Sequence, residues 1–592
     1  MTKKGDADYI IVGAGAAGGV MAARLSEDPN KQVLLVEAGS DYGTETEFPA
    51  PIRYGFGNPE NGGPAEVRGH HWYPESDNPI SVGQLRERRG GLYGHTGEGK
   101  ERHAIDLPRG RIIGGTTSVN SQMWVRGTTE DFDYWSTTLG CGSWTFENVL
   151  PFFNAIESDA DYGHESFHGD SGPISVRRHL ASEWRTADQA WHDACLAAGF
   201  TNCDDVNAPH TRGGVGSLTL NNLDRVRLSS ALTFVAQARN RPNLLIRDES
   251  ETTRVLFDDN PVTPRAIGIE LSDGTTLFAR VEVILCAGAI GSPHLLLRSG
   301  IGSSSELSEA GIQPLVDLPA VGKNLRDHPQ AGFSFRMRAD LNPNNFDGSA
   351  HPMPMYLRYT AEPIEDEPEV TNDMLFYVGP LQSQVGEAEH LSGHHGTGNR
   401  MFVTIPSLML ELSSGTLRMP PAHQDGSPDM EGMPVIEMDW LQHSSDRIRL
   451  RQGVRLALDL AQSKEMSAVL ENPVEIILPD SFSLQIDSTD EEIDAWVATH
   501  VTTSHHQSST CRIGDPDDPN AVCDENGLVL GTQGLRVVDA SSMPDCPRAN
   551  TQVTTYMMAE RISGIINYGS LEAALKALVD TRLPYSKFSQ MA

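Results

Sequence analysis

Cysteine is scarce in this sequence, and its spacing carries no metal or disulfide motif. Seven cysteines occur in 592 residues, an odd number, and none stands in a CxxC pair. Zinc sites and complete disulfide frameworks both need cysteines in regularly spaced sets. The pattern therefore predicts a protein of a reducing compartment, without a metal site.

Long apolar segments are missing as well. No run of about 18 apolar residues occurs, which excludes a typical membrane-spanning helix. Met1 is followed by charged and polar residues, and an apparent first strand begins at Asp8, so we expect no signal peptide. These absences together predict a cytoplasmic protein.

Basic residues are few compared with acidic ones. The chain has 46 Lys and Arg against 80 Asp and Glu, which gives a formal net charge of −34. Such a surface repels nucleic-acid phosphates and anionic lipids over most of its area. Nucleic acid is therefore not expected as a partner.

The length of 592 residues predicts two or more lobes, because a single core rarely grows so large.

The sequence does contain a nucleotide motif near its start. The stretch DYIIVGAGAAGGVMAARLSE (8–27) predicts a strand, a tight turn and a helix. Gly13 permits the turn, Gly15 lets the backbone approach a pyrophosphate, and Gly18 allows close helix packing. A second buried strand in QVLLVEAG (32–39) ends at Glu37, which can accept hydrogen bonds from a ribose diol. The motif predicts a dinucleotide site but leaves FAD and NAD both open.

Two later segments carry a resemblance to a known family. GRIIGGTTSVNSQMWVRGTTEDFD (110–133) and GAIGSPHLLLRSGIG (288–302) resemble the two signature segments of the glucose-methanol-choline (GMC) oxidoreductases. Further family pieces stand in order, so the resemblance extends from Asp8 to about Ile566. It implies that the dinucleotide is FAD. It also implies that the enzyme oxidises the CH–OH group of a small-molecule alcohol.

The resemblance also assigns residues to the cofactor. Gly114 and Gly115 would let the backbone pass against a flat ring, and Ser118 and Asn120 would offer polar groups to it. Family members with covalently linked FAD have a histidine where this chain has Val119, so the resemblance implies non-covalent FAD. The predicted cofactor-binding residues are Gly13, Gly15, Ala16, Ala17, Gly18, Glu37, Ala38, Arg111, Gly114, Gly115, Ser118, Val119, Asn120, Thr252, Ala287, Gly288, Asp539, Ala540, Asn550, Thr551, Gln552 and Val553.

The catalytic residues are predicted near the C-terminus. Oxidation of an alcohol requires a base for the hydroxyl proton while hydride leaves the carbon. The resemblance places this base at His506, in TSHHQSSTCRIG (503–514), and a second catalytic position at Asn550. The Asn550 amide can orient the substrate oxygen and stabilise an alkoxide. Ser509 stands where the family has glycine, which puts the shape of this turn in question.

The segments together predict a fold of class α/β with α+β. A Rossmann-like FAD-binding domain is expected beside a substrate domain built on an antiparallel sheet flanked by helices. Alternating runs predict the strands of that sheet at 331–339, 353–361, 372–379 and 400–410, and a helix at 445–463. The predicted domain segments are 1–155, 215–330 and 500–592 for FAD binding, 156–214 as a mixed contribution to the substrate side, and 331–499 for substrate binding.

Two segments lie outside the family pattern. The polar, glycine-rich segment 78–103 is predicted as a surface loop, with a lid or an oligomer contact as alternatives. The tail 567–592 contains an amphipathic stretch, SLEAALKALVDTRL (570–583), expected to dock on the FAD-binding lobe or on a second subunit. The sequence leaves the oligomeric state open.

Several functions fit these residues. The electron acceptor is O2, as in an oxidase, or a quinone or protein, as in a dehydrogenase, and the sequence favours neither. The main alternative is a flavoprotein lyase or decarboxylase on the same scaffold. His506 with Asn550 favours alcohol oxidation, since this pair supplies what hydride abstraction needs. The sequence does not specify which alcohol is the substrate.

Overall fold

The structure is a computed structural model in which residues 6–54, 70, 72, 93–96, 103–341, 351, 353–382, 400–477 and 484–582 are described. Within these ranges the chain forms two large sheets, smaller sheets and surrounding helices. Most of the predicted 78–103 segment lies outside the described residues, as does the tail beyond 582.

One large sheet is the nucleotide sheet, which has seven strands. Its spatial order is Leu244–Arg247, Val33–Val36, Ala7–Val12, Thr276–Leu285, Ala266–Leu271 and Thr252–Phe257, and Leu535–Val537 also pairs with Thr276–Leu285. Four contacts are parallel, with registers such as Ile11 to Leu35 and Ile11 to Ile284. The remaining two pairings are antiparallel. In the middle of this sheet, Val33–Val36 and residues 9–12 are apolar and buried, as expected for strands covered on both faces.

Helices cover the nucleotide sheet. Ala16–Leu25 packs against Thr551–Tyr568, which also contacts Phe146–Ile156 and Leu571–Arg582. The predicted tail helix therefore docks on this lobe within the chain. The helices of the described residues are Ala16–Leu25, Ala50–Tyr54, Thr129–Thr137, Phe146–Ile156, Thr186–Ala197, Ala236–Ala238, Gly288–Arg298, Ser304–Glu309, Ser444–Ala461, Asp490–His500, Thr551–Tyr568 and Leu571–Arg582. None of these combines the length and apolar character that a membrane-crossing helix requires.

The second sheet has eight strands, and every pairing in it is antiparallel. Its main order is Ile476–Ile477, Phe333–Arg336, Arg400–Leu408, Met374–Gln382, Met355–Tyr359 and Gly214–Ser217, and Pro329–Gln330 and Thr502–Thr503 extend it at one side. Ser444–Ala461 packs on Arg400–Leu408, and Thr186–Ala197 packs on Met374–Gln382. The predicted fold class is confirmed: a Rossmann-like domain stands beside an antiparallel sheet flanked by helices.

Three short strands show that the lobes interlock at the predicted domain limits. Gly214–Ser217 straddles the predicted limit at 215, and it pairs with Met355–Tyr359 in the second sheet. Pro329–Gln330 and Thr502–Thr503 pair with each other there too, although both were assigned to FAD-binding segments. Asp327 and His328 come directly before Pro329–Gln330, and the predicted catalytic turn follows Thr502–Thr503. The pairing of these two strands therefore brings Asp327 and His328 beside the turn.

The smaller sheets correct one prediction. Tyr93–Thr96 and His103–Asp106 form an antiparallel pair, and Tyr93–Thr96 also pairs with Val435–Glu437, which pairs with Thr416–Arg418. A surface loop over 78–103 is therefore wrong for Tyr93–Thr96 and for His103. The alternation of apolar and polar residues that predicts a strand was hidden there by glycine and by the charged residues before and after these short strands. The other sheets are Glu157–Asp159 with Ile174–Arg178 and Thr219–Leu220, Asn222–Leu223 with Val226–Arg227, and Ile301–Gly302 with Val316–Asp317.

Candidate active site

The nucleotide turn lies between Ala7–Val12 and the helix Ala16–Leu25. Gly13 has φ +95°, a conformation that residues with a side chain rarely adopt. Gly18 packs so closely on this turn that an added Cβ would stand 1.8 Å from the Gly13 carbonyl oxygen. Gly15 is different, since a Cβ there would have Gly115 Cα, at 4.0 Å, as its nearest neighbour. The turn therefore leaves space in front of Gly15 at the start of the helix.

Glu37 lies at the end of the neighbouring strand and is buried. Its two carboxylate oxygens accept hydrogen bonds from the Ala14 amide at 2.8 Å and from the Gly39 amide at 2.9 Å. Burial raises the pKa of Glu37 to about 7. Each oxygen retains a free lone pair that can accept a ribose hydroxyl. Glu37 thus has the position and the acceptor capacity that the sequence assigned to it.

The residues that are present fit an FAD molecule. The helices Ala16–Leu25 and Thr551–Tyr568 both begin without a side-chain cap and without an acidic residue in the first turn. Their first N–H groups and positive ends are available to phosphate and to a flavin that gains negative charge. Thr252 Oγ1 is buried and has no protein partner among the described residues. A Cβ on Gly288 would meet nothing within 4 Å, so space remains there too.

Other predicted cofactor residues use their side chains within the protein. Ser118 is fully buried, and its hydroxyl donates to the Ile113 carbonyl at 2.9 Å. The Asp539 carboxylate accepts from the Gly288 amide, the Ser292 hydroxyl, and the amide and hydroxyl of Ser541. Asn120 donates to the side chain of Gln552. These side chains are held by other groups of the protein, and their contact with FAD stays a prediction.

The remaining predicted residues surround the same turn and helix starts. Gly39 packs on the backbone of Arg111, where an added Cβ would stand 2.0 Å from the Arg111 carbonyl oxygen. Gly114 and Gly115 have φ of +91° and +52°. Three helix starts carry predicted residues: Ala16–Leu25 begins with Ala16 and Ala17, Thr551–Tyr568 begins with Thr551, Gln552 and Val553, and Ala287 precedes Gly288–Arg298. The others lie in short turns. Ala540 begins the 3-10 turn after Asp539, Val119 follows the turn Gly115–Ser118, and Ala38 follows Glu37.

The two predicted catalytic side chains lie together. His506 Nε2 is 3.0 Å from Asn550 Nδ2. Tyr377 lies in the second sheet, and its hydroxyl donates to Asn550 Oδ1 at 3.2 Å. Since the amide oxygen accepts from Tyr377, the amide nitrogen faces His506 and donates to it. His506 Nε2 is then the unprotonated ring nitrogen, which is the form that a base requires.

The turn around Ser509 keeps the left-handed backbone that glycine would adopt. Ser509 has φ +66° and His505 has φ +64°. The Ser509 amide donates to the Ala540 carbonyl at 3.0 Å, and Thr510 Oγ1 donates to the Ala289 carbonyl at 2.6 Å. His505 is exposed whereas His506 is buried. The substitution of glycine by Ser509 therefore leaves this turn in place, and the paired histidines point to different sides.

The buried carboxylate of Asp327 holds the turn that carries His505 and His506 in place. It accepts from the His506 amide at 2.8 Å, from the Thr503 hydroxyl at 2.5 Å and from Gln507 Nε2 at 2.8 Å. Burial raises the pKa of Asp327 to about 6, although these three donors oppose the shift. Because the pKa of Asp327 is raised in the folded state, the free energy of unfolding falls as the pH rises toward 6 and Asp327 ionises. The ionised carboxylate is nevertheless the better hydrogen-bond acceptor for the turn.

We expect an acid limb in the activity from this carboxylate. As the pH falls below about 6, Asp327 gains a proton and loses acceptor capacity, so the turn that carries His506 loosens. Asp327→Asn should lower the rate of flavin reduction several-fold at neutral pH and flatten the limb near pH 6. Anaerobic stopped-flow rates across the pH range measure both effects, and a limb that persists unchanged in Asp327→Asn would exclude Asp327 as its source.

A second histidine lies behind the first. His328 Nδ1 is 2.9 Å from His506 Nδ1, and the two rings meet edge to face with centroids 5.0 Å apart. Burial lowers the pKa of His328 to about 3. Burial, together with nearby His328, His505 and Arg109, also holds the pKa of His506 well below its usual range. Both rings are therefore neutral in the resting protein.

Sequence reasoning missed three members of this site. Tyr377, Asp327 and His328 contact the catalytic pair but stand 173 to 179 residues from their partners along the chain. Asp327 and His328 lie in AVGKNLRDHP (320–329), a segment that carried the family resemblance without a role for either residue. Tyr377 follows the alternation of a strand, so only the pairing of that strand reveals which face it occupies.

Comparison with known proteins decides the family. The N-terminal GMC oxidoreductase family model matches residues 7–330, and the C-terminal GMC oxidoreductase model matches residues 422–559. The chain belongs to the GMC oxidoreductase family. It is therefore an FAD-dependent alcohol oxidoreductase, as the resemblance implied.

Individual GMC relatives cover nearly the whole chain. It is 32% identical to the oxygen-dependent choline dehydrogenase of Ectopseudomonas mendocina, covering 94% of this chain and 93% of the relative. Among solved structures, pyridoxine 4-oxidase from Mesorbium loti is 26% identical, with a TM-score of 0.77 over 94% of this chain and 98% of the other. A fungal aryl-alcohol oxidase shares the fold, with 22% identity and a TM-score of 0.71 over 95% of this chain and 99% of the other.

Proposed function

We propose that this GMC oxidoreductase oxidises a primary or secondary alcohol with His506 as the base and Asn550 as the group that orients the alcohol oxygen. The observation that carries the proposal is the 3.0 Å approach of His506 Nε2 to Asn550 Nδ2. An alcohol oxygen that takes the place of this mutual hydrogen bond would donate its proton to Nε2 and accept from Nδ2. No other pair of described residues in the predicted site offers these two functions to one oxygen.

His506 performs the proton transfer. Its neutral, unprotonated Nε2 can accept the hydroxyl proton, and its backbone is held by the Asp327 carboxylate. Burial excludes water from the ring, so the alcohol hydroxyl does not compete with solvent for Nε2. Bound FAD supplies the acceptor for the hydride that leaves the alcohol carbon. Non-covalent binding of FAD is part of the proposal, since Val119 offers no group that could form a bond to it.

Asn550 and its partner Tyr377 stabilise the alkoxide that develops during this transfer. The Tyr377 hydroxyl fixes the amide oxygen at 3.2 Å, so the amide nitrogen stays directed toward the site. The helix that begins after Asn550 adds a positive N-terminus, a contribution of up to about 2 kcal/mol when partly buried. Asn550 and Tyr377 cannot act as the base, because an amide does not accept the proton and Tyr377, whose pKa is strongly raised, keeps its own proton.

The surroundings of Asn550 are apolar. Met123 Sδ lies 3.9 Å from Asn550 Nδ2, and both Met123 and Tyr377 belong to one buried cluster of apolar side chains. This cluster favours alcohols with an uncharged carbon skeleton next to the reacting carbon, because a charged group would lose its hydration there. The other members of the cluster are Val125, Cys203, Val206, Leu218, Leu220, Met353, Tyr356, Leu375, Val403, Ile405, Met409 and Ala549.

A lyase or decarboxylase on the same scaffold is the second candidate function. It would not need an amide and an imidazole that converge on one oxygen, so the His506–Asn550 geometry favours alcohol oxidation. The electron acceptor is O2 or another acceptor such as a quinone. Relatives named as an oxygen-dependent dehydrogenase and as oxidases lead us to test O2 first.

Asn550→Ala tests the proposal together with a substrate screen. The purified protein is mixed anaerobically with aryl, furanic, aliphatic and sugar alcohols, and with choline and pyridoxine, and loss of the flavin absorbance is recorded before air is admitted. We expect bleaching by at least one alcohol, and Asn550→Ala should slow it by about 10- to 1,000-fold, as for removal of an oxyanion-stabilising donor. Asn550→Asp should be similarly slow, because a carboxylate repels the alkoxide. Bleaching at the wild-type rate in both variants would contradict the role of Asn550.

A further inference from the structure

A neutral imidazole lies directly behind the ring of His506. His506 Nδ1 is 2.9 Å from His328 Nδ1, and no other hydrogen-bond partner of this nitrogen occurs in the part of the chain that the structure describes. The His328 side chain is fully buried, and burial lowers its pKa to about 3. His328 therefore adds a hydrogen-bonding group to the site without adding a charge.

A carboxylate commonly occupies this position behind a catalytic histidine, where it holds one tautomer and stabilises the imidazolium. Asp327 brings a carboxylate to the same turn, but its hydrogen bonds go to the backbone amide of His506 and to the side chains of Thr503 and Gln507. None of these bonds reaches the His506 ring. The tautomer of the base is therefore set by a group other than Asp327.

Hydrogen bonds on the two outer sides of the histidine pair give the contact a direction. His506 Nε2 accepts from Asn550, so His506 Nδ1 carries the ring proton. On the other side, Cys546 Sγ lies 3.2 Å from His328 Nε2, and the Cys546 thiol donates to the His506 carbonyl at 3.7 Å. Because the thiol has only one proton, its sulfur accepts from His328 Nε2–H. His328 Nδ1 is then unprotonated and accepts from His506 Nδ1.

Backbone groups support the same arrangement. The carbonyls of Pro547 and Met409 also form hydrogen bonds with the His328 ring. A carbonyl only accepts, so these contacts require a proton on a ring that burial keeps uncharged. Since Nδ1 of His328 faces the proton of His506, the proton of His328 stays on Nε2.

We propose that His328 is a positioning residue that keeps the base in its active tautomer, by accepting the His506 Nδ1 proton so that Nε2 stays free for the alcohol. This inference rests on the proposed function, because it takes His506 as the base. Without the acceptor, the buried Nδ1–H would lose its partner, and we expect the ring proton to move to Nε2. An Nε2–H group still donates to the alcohol oxygen, but it cannot accept the hydroxyl proton.

Asparagine and leucine at position 328 form a matched pair of variants. Both side chains branch at Cγ and leave similar space where the imidazole was, but only His328→Asn offers an oxygen near the former Nδ1. In His328→Leu we expect flavin reduction to slow by about 10- to 100-fold, the equivalent of the usual penalty for an unpaired buried donor. His328→Asn should recover most of this loss.

Anaerobic stopped-flow absorbance measures these rates in the holoenzyme, with the best alcohol of the screen over a range of concentrations. The limiting rate should fall in His328→Leu while the dissociation constant of the alcohol changes little, because Nε2–H still bonds to the alcohol oxygen. Equal limiting rates in His328→Leu and His328→Asn would overturn the positioning role.

Nitrogen-15 NMR of the holoenzyme with labelled histidine reads the tautomer directly. Protonated and unprotonated ring nitrogens differ in chemical shift, and couplings to the carbon-bound ring protons distinguish Nδ1 from Nε2. Comparison with His506→Ala and His328→Asn assigns the signals. We expect His506 with its proton on Nδ1 and His328 with its proton on Nε2, and we expect the His506 pattern to reverse in His328→Leu.

A purely structural role for His328 would leave the His506 pattern unchanged in His328→Leu, and this result would contradict the proposal. Wild-type protein with the His506 proton on Nε2 would also overturn it, so the test holds even if His328→Leu does not fold.

Two results separate this proposal from the proposed function. If His506→Ala blocks flavin reduction while His328→Leu and His328→Asn reduce flavin equally fast, the positioning role fails and the proposed function stands. If His506→Ala reduces flavin normally, the proposed function fails, and the positioning role of His328 fails with it.

Discussion

His506→Ala is expected to retain FAD and to slow anaerobic flavin reduction by about 10²- to 10⁴-fold, the usual effect of losing a general base. The physical reason is the loss of the unprotonated Nε2 that faces Asn550 at 3.0 Å. FAD should stay bound, because the ring contacts the alcohol side of the site and none of the nucleotide turn. Stopped-flow absorbance under anaerobic conditions measures the rate, and the visible spectrum measures the retained flavin.

His505→Asn is the matched control for this variant. His505 is the exposed neighbour with φ +64°, a conformation that asparagine tolerates well. We expect its reduction rate to remain within about threefold of the wild type, because surface positions away from the reacting atoms have small effects. If His506→Ala bleaches at the normal rate, or if His505→Asn loses as much activity as His506→Ala, the assignment of the base to position 506 is wrong.

Gly18→Ala is the second change with a large expected effect. The added Cβ would stand 1.8 Å from the Gly13 carbonyl oxygen and 2.9 Å from the Gly13 carbonyl carbon, both backbone atoms that cannot turn aside. The helix Ala16–Leu25 would have to move away from the nucleotide turn. We expect a destabilisation of about 3 kcal/mol or more, together with a colourless protein or one that does not fold. Thermal unfolding and the flavin content of the purified protein measure these effects.

Gly15→Ala separates binding from folding in the same turn. Its Cβ would have only Gly115 Cα, at 4.0 Å, as a neighbour, so the apoprotein should unfold at nearly the wild-type temperature. The methyl group would occupy the space through which a pyrophosphate approaches the helix start, and FAD affinity should fall by about tenfold or more. Wild-type FAD affinity in Gly15→Ala would show that the phosphates lie elsewhere. Full flavin content in Gly18→Ala would show that the turn adapts.

The nucleotide half of the site could be predicted because its signals are local. Gly13, Gly15 and Gly18 act on one turn, and Glu37 lies at the end of the next parallel strand, so spacing along the chain fixes their positions in space. The paired strands and the helix starts then follow from standard geometry. The contact of the Ser118 side chain with the cofactor stays a prediction. A serine in a glycine-rich turn can face a ligand or its own backbone, and here its hydroxyl bonds to the Ile113 carbonyl.

The second half of the site could not be predicted from spacing. Tyr377 and His328 come from separate parts of the chain, and they reach Asn550 and His506 only because the second sheet and the residues beside it meet the histidine turn and the start of the helix Thr551–Tyr568. Adjacent histidines such as His505 and His506 can also indicate a metal site, but no further ligands lie close to them in the sequence. Distance in sequence concealed the carboxyl and thiol groups that surround His328 in the fold.

The sequence by itself determined the nucleotide turn, the family resemblance and the two residues expected to carry the chemistry, because each depends on local spacing or on an ordered motif. The tertiary structure alone decided which side chains support them. Asp327 anchors the turn of His506, Tyr377 orients Asn550, and His328 packs behind His506 with the two Nδ1 atoms 2.9 Å apart. Hydrogen bonds and desolvation depend on atoms a few ångströms apart, and only the folded arrangement of distant segments brings these atoms together.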